Sequence, residues 1–115
     1  MMTEKIAKAQ KKVRLQLEEN EDRQRQLSKQ MERIEALCKA ELRQDQRLTE
    51  MFPTSETGSH IQDLSYENQQ LGRELLGDLE EAREQLVKEQ LDLESEESEL
   101  YYQARLEAEK EEKHG

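Results

Sequence analysis

Tryptophan is missing from this 115-residue chain, and phenylalanine, proline and cysteine occur once each. Three tyrosines complete the aromatic set, and only 32% of the residues are hydrophobic. So little apolar material cannot fill a compact globular core. A lone Cys38 rules out an intrachain disulfide and a cysteine metal site. It reads as a small apolar residue in a helix seam rather than a reactive thiol. The opening residues, Met1 to Lys8, carry lysines but no apolar run after them, so neither a signal peptide nor a membrane span is read. The expected location is cytoplasmic, with export alongside a partner left open.

What the chain has in quantity is charge: 40% of its residues are Asp, Glu, Lys or Arg, with a formal net charge of -10. Together with abundant Leu and Gln, this composition fits either long helices or disorder. Periodicity decides for helix. The expected fold is all-α: two long antiparallel helices, coiled-coil-like, joined by a turn around residues 52–60. Pro53 lacks an amide proton and disfavours helix in the residue before it, so the first helix, from about residue 3, should stop near Met51. Gly58 and Ser59 supply turn and cap chemistry, and a second helix is expected from about residue 60 to 110, with a frayed tail over 111–115.

With Ile6 as position a of a seven-residue frame, the a series is Ile6, Val13, Asn20, Leu27, Ile34, Glu41 and Leu48. The d series is Ala9, Gln16, Arg23, Gln30, Leu37, Gln44 and Met51, and Leu17, Met31, Cys38 and Phe52 widen the stripe at e. From Glu18 to Gln26 no residue is apolar. A helix that polar must borrow stability from a neighbour or act as a hinge. In the second arm Leu79, Leu86, Leu93 and Leu100 form a ladder at seven-residue spacing, and Ile61, Leu64, Leu71, Leu75, Leu76 and Ala82 extend the stripe toward the turn. Gly72 and Gly77 interrupt this helix at roughly 1 kcal/mol each. They read as tolerated imperfections before close-approach sites.

Residues 1–52 hold 12 Lys+Arg and 10 Asp+Glu, whereas residues 53–115 hold 6 and 18. Folding at the turn brings the basic start (Lys5 to Arg14) beside the acidic segment Asp92–Glu99, which favours the antiparallel arrangement. Two rods of roughly 70 Å share one narrow seam. Leu15, Leu17, Leu42, Leu76, Leu91 and Leu106 lie off the expected seam, so the hairpin should pair with further helices.

No residues suggest catalysis, a cofactor or a metal site. His60 and His114 fall in the turn and the tail, no glycine-rich phosphate loop exists, and the carboxylates spread over solvated helix faces. The expectation is therefore a non-enzyme. The net negative charge opposes nucleic acid binding, and Ile6, Ala9 and Val13 make a poor membrane face.

Glu67-Asn68, Leu79-Glu80-Glu81-Ala82-Arg83-Glu84-Gln85-Leu86 and Glu99-Leu100-Tyr101-Tyr102-Gln103-Ala104-Arg105 carry a resemblance. From Tyr66 to Ala108 the chain resembles the small helical accessory proteins encoded beside LXG toxins of Gram-positive bacteria. The resemblance implies a hairpin like the WXG-type substrates of type VII secretion. It also implies binding to the helical N-terminal domain of a cognate LXG toxin, often with a second small helical protein, to target the toxin for export. The chain departs from the WXG pattern at the turn, where Thr57-Gly58-Ser59 replaces Trp-x-Gly. No aromatic-x-x-x-acid signal follows Tyr101 or Tyr102: the residues four further on are Arg105 and Leu106.

Two readings follow: an adaptor or chaperone for such a toxin, or a self-associating coiled-coil module forming a dimer or four-helix bundle. The expected partner-binding residues are Leu71, Leu75, Leu79, Leu86, Leu93, Leu100, Tyr101 and Tyr102. For the two tyrosines, packing against the start of the first arm is an equal alternative.

Overall fold

The computed structural model describes the backbone of residues 2–114 and the side chains of residues 3–113. Gly115, the end of the expected tail, and the side chain of His114 lie outside the described residues. Two helices, α1 (Met2–Met51) and α2 (Glu56–His114), form an antiparallel hairpin. The helix extends past residue 110 because Glu107 to Lys113 contains no breaker. Its Glu109 and Lys113 also stand at the favourable i,i+4 spacing.

The turn is shorter than its composition suggested. Helix α1 closes with the Phe52 amide donating to the Thr49 carbonyl at 3.1 Å, and Pro53 prevents continuation. Ser55, not Ser59 or His60, caps α2. Its hydroxyl oxygen accepts from the Gly58 amide at 3.1 Å, and its carbonyl accepts from the Ser59 amide at 3.2 Å. Helix α2 thus starts at Glu56, whose negative charge suits the first turn. Only residues 52–55 connect the arms, within the usual length of a helical hairpin loop. Gly58 is buried inside the first turn because the end of α1 presses on it.

Contacts divide the pair into a terminal unit, up to Arg25 on α1 and from Glu84 on α2, and a turn unit, Gln26–Arg83. Among the described residues the buried hydrophobic side chains, Val13 at 1% exposure and Leu93 at 7%, both lie in the terminal unit. Leu17, Leu86 and Leu100 are half-buried along the same seam. Asn20, 1% exposed, sits among them. Its Nδ2 donates to the Leu86 carbonyl at 2.8 Å, and its Oδ1 accepts from Gln24 at 2.6 Å. Gln24 Nε2 also reaches Gln90 Oε1 at 2.7 Å. The polar stretch Glu18–Gln26 therefore borrows its stability across the seam, and α1 runs through it unbroken.

In the turn unit the seam takes Leu27, Met31, Ile34 and Cys38 from α1 against Gly72, Leu76 and Leu79 from α2, all half-buried. The α1 residues step alternately by four and three, so the seam of α1 pairs positions a and e of the frame above. Leu37, Gln44 and Met51 at position d are all exposed, as are Leu48 at a and Phe52 at e, which corrects the expected stripe. Leu17, Met31 and Cys38 at e join smoothly to the a residues, and their burial outweighs what Leu37 and Met51 could offer from d. Leu17 and Leu76, expected off the seam, belong to it.

The two glycines of α2 have different reasons. A Cβ on Gly72 would stand 2.6 Å from Cys38 Sγ, so close approach explains it. A Cβ on Gly77 would meet nothing within 4 Å. Gly77→Ala should therefore raise stability by about 1 kcal/mol, read as a higher midpoint in urea with an unchanged slope.

Candidate interaction surface

Toward the turn the seam becomes polar. Glu41, Asp45 and Thr49 occupy it on α1, Ser65 and Gln69 on α2 with Ile61 beyond them, and all are half-buried. Gln69 Nε2 donates to the Cys38 carbonyl at 3.2 Å and Asn68 Nδ2 to Glu41 Oε1 at 2.6 Å. The Thr49 hydroxyl donates to the Asp45 carbonyl at 2.8 Å, while Asp45 Oδ2 is buried without a hydrogen-bond partner. Such groups contribute little net stability.

Apolar side chains of the same unit point elsewhere. Leu37, Leu48 and Met51 of α1 and Leu64, Leu71 and Leu75 of α2 are all exposed, Leu37 at 68% and Leu71 at 63%. At 100° per residue, each lies roughly 80–130° from its helix's seam, in the same rotational sense. Because the helices are antiparallel, equal rotation puts both sets on the same side of the hairpin. One face of the turn unit is therefore apolar, beside a seam that turns polar only toward the turn. Its exposed side chains present on the order of 600 Å² of apolar surface, at the upper end of the largest patch on an ordinary monomer.

The eight residues expected to bind a partner divide in two. Leu79, Leu86, Leu93 and Leu100 line the intramolecular seam, whereas Leu71, Leu75, Tyr101 and Tyr102 are exposed. Tyr101 edges a cleft with Gln10, Arg14, Glu97 and Ser98, which sets the basic start of α1 beside the acidic segment of α2. In the terminal unit Val87, Leu91 and Tyr101 share a flank of α2, but Glu84 and Glu94 interrupt it. Isolated apolar residues of that kind need no explanation. Sequence reasoning missed Leu37, Leu48, Met51 and Leu64 as members of the face. Their signal is the residue one step before a seam position or beside it, visible only once the frame is right.

The family model for a protein of unknown function, DUF3958, matches residues 4–106, both helices and the turn. The chain belongs to the DUF3958 family. No curated protein and no solved structure matches it. The matched region of this DUF3958 chain includes the whole apolar face and the Asn20 network. Among its described residues no helix is long and apolar enough to cross a membrane.

Proposed function

We propose that this DUF3958 protein is a non-enzymatic adaptor that binds the helical N-terminal domain of a cognate LXG toxin and directs it to type VII secretion. The resemblance also allows a second small helical protein in the complex. One observation carries the binding role: among the described residues fifteen large hydrophobic side chains are exposed against two buried ones, and six of the fifteen gather on one face of the turn unit. A hairpin that leaves this much leucine wet gains stability by laying it against a helical partner. The identity of the partner rests on the resemblance of Tyr66–Ala108 to the accessory proteins of LXG toxins. The ladder Leu79, Leu86, Leu93 and Leu100 then supports the hairpin, and Leu71 and Leu75 meet the toxin.

The reading is tested by co-expressing the chain with the N-terminal domain of an LXG toxin encoded beside it, with light scattering for the mass of the complex. A stable complex is expected. Leu71→Glu with Leu75→Glu should weaken it at least a hundredfold, by burying two charges in an apolar contact, while helicity is retained. Leu15→Glu, off this face, should leave the complex intact. No complex with the wild-type chain would overturn the adaptor reading.

A further inference from the structure

We infer that the apolar face of the turn unit is self-complementary, and that without a toxin domain it closes on a second copy of this chain. The face is nearly free of charge in a chain of which 40% is charged. By helical position, Arg33 on α1 and Asp78 on α2 mark its outer rim, with Arg47 at the edge nearer the turn. The level of the two helices follows from Gly72 lying against Cys38 and Asn68 bonding Glu41. Five residues back from Cys38 is Arg33, and six on from Gly72 is Asp78, so the two rim charges stand at nearly the same height on opposite edges. Among the described residues the ion pairs are Arg25–Asp22 and Arg83–Glu80, so neither rim charge is engaged within the chain.

A two-fold axis parallel to the helices, lying over this face, turns that arrangement into a match. It sets α1 of one copy above α2 of the other, antiparallel and with heights preserved. Arg33 of each copy then meets Asp78 of the other, twice over. Leu37 of one copy enters between Leu71 and Leu75 of the other, and Leu48 and Met51 come down beside Leu64. The product is a four-helix bundle over the turn unit with knob-into-hole packing. The apolar patch with its rim approaches the roughly 800 Å² per partner of a specific interface. An axis across the helices would instead set α1 on α1 and leave both rim charges unmatched.

Light scattering on the isolated full chain tests the pairing. The expected mass at tens of micromolar is twice the 13.7 kDa of one chain. Arg33→Glu alone should weaken the dimer about tenfold at low salt, and Asp78→Arg alone should do the same, because each sets like charges together twice. Mixing the two variants should restore association as a heterodimer, since the glutamate introduced in one then faces the arginine introduced in the other. Circular dichroism on each variant reports whether the helices are kept. A wild-type chain that stays a folded monomer at 100 μM would overturn the inference, and so would charge variants that dimerise like the wild type. Toxin binding is scored separately. A monomer that still binds the LXG domain sinks only the self-pairing, and a dimer that ignores that domain sinks only the adaptor reading.

Discussion

Gly58→Ala is expected to lower the melting temperature by about 10 °C, although alanine is the better helix former by about 1 kcal/mol. The reason is a backbone contact. A Cβ at position 58 would stand 2.0 Å from the Phe52 carbonyl oxygen and 3.1 Å from its carbon. A flexible side chain could swing away from such an intrusion, but the carbonyl ending α1 cannot. It belongs to the residue that hands the chain to Pro53, and it also accepts from the Ser55 hydroxyl at 3.4 Å. Relief therefore means moving the end of α1 away from the start of α2, which pulls on the Ser55 cap at the Gly58 amide. Overpacking of this kind costs roughly 1–3 kcal/mol, and loss of the cap adds about 1 more. The comparison with Gly77→Ala makes the test sharp, because both glycines lie in α2 and differ mainly in what surrounds them. Differential scanning calorimetry should show the two substitutions moving the transition in opposite directions. If Gly58→Ala matched Gly77→Ala, the close approach at the turn would be wrong.

Proline chemistry made the hairpin legible in the sequence. Pro53 placed the end of α1 at Met51, because the constraint is local and steric. The start of α2 was less legible. The sequence suggested a start at Ser59 or His60, whereas the cap falls to Ser55, the serine nearest the proline, which can seat Gly58 under the Phe52 carbonyl. Long-range packing was the harder reading. The leucine ladder of α2 marks its seam correctly, since Leu79, Leu86, Leu93 and Leu100 are all at least half-buried. On α1 both d and e offered an apolar partner to the a series, and a one-step difference decides whether Leu37 faces α2 or solvent. That step also decides where the candidate surface lies, so the ladder drew attention away from it. Local propensity cannot reveal that the seam near the turn is polar, because Glu41, Asp45, Ser65 and Gln69 look like ordinary surface residues until the register is known.

The polar stretch of α1 supplies the second large effect. Asn20→Asp is expected to destabilise the chain by about 3 kcal/mol at neutral pH, although the two side chains are nearly the same shape. At 1% exposure the new carboxylate would be cut off from water, and its oxygen would face the Leu86 carbonyl that Asn20 Nδ2 now supplies with a proton. Its remaining donor, Gln24 Nε2, is shared with Gln90. Burial and the facing carbonyl both disfavour the charged form, so the introduced carboxyl would titrate above its unfolded value of about 4 when folded. The direction in pH follows. Below about pH 4 both states hold the proton, which can donate to the Leu86 carbonyl, and the penalty is small. As pH rises past that value the unfolded chain ionises first, so the variant loses stability until the folded carboxyl also ionises, after which the loss is constant. The difference between variant and wild type in urea unfolding, taken from about pH 3.5 to 8, should trace this curve. Asn20→Leu separates stability from specification: it removes the network without adding charge, so its stability should change by less than about 1 kcal/mol. A polar residue in a helical seam fixes which partner residue lies opposite, since any shift of α2 takes the Leu86 carbonyl away from Nδ2. The leucine variant should accordingly keep its melting temperature while amide exchange near Leu86 becomes faster. An Asn20→Asp variant as stable as the wild type across this pH range would show that Asn20 does not lie in the seam.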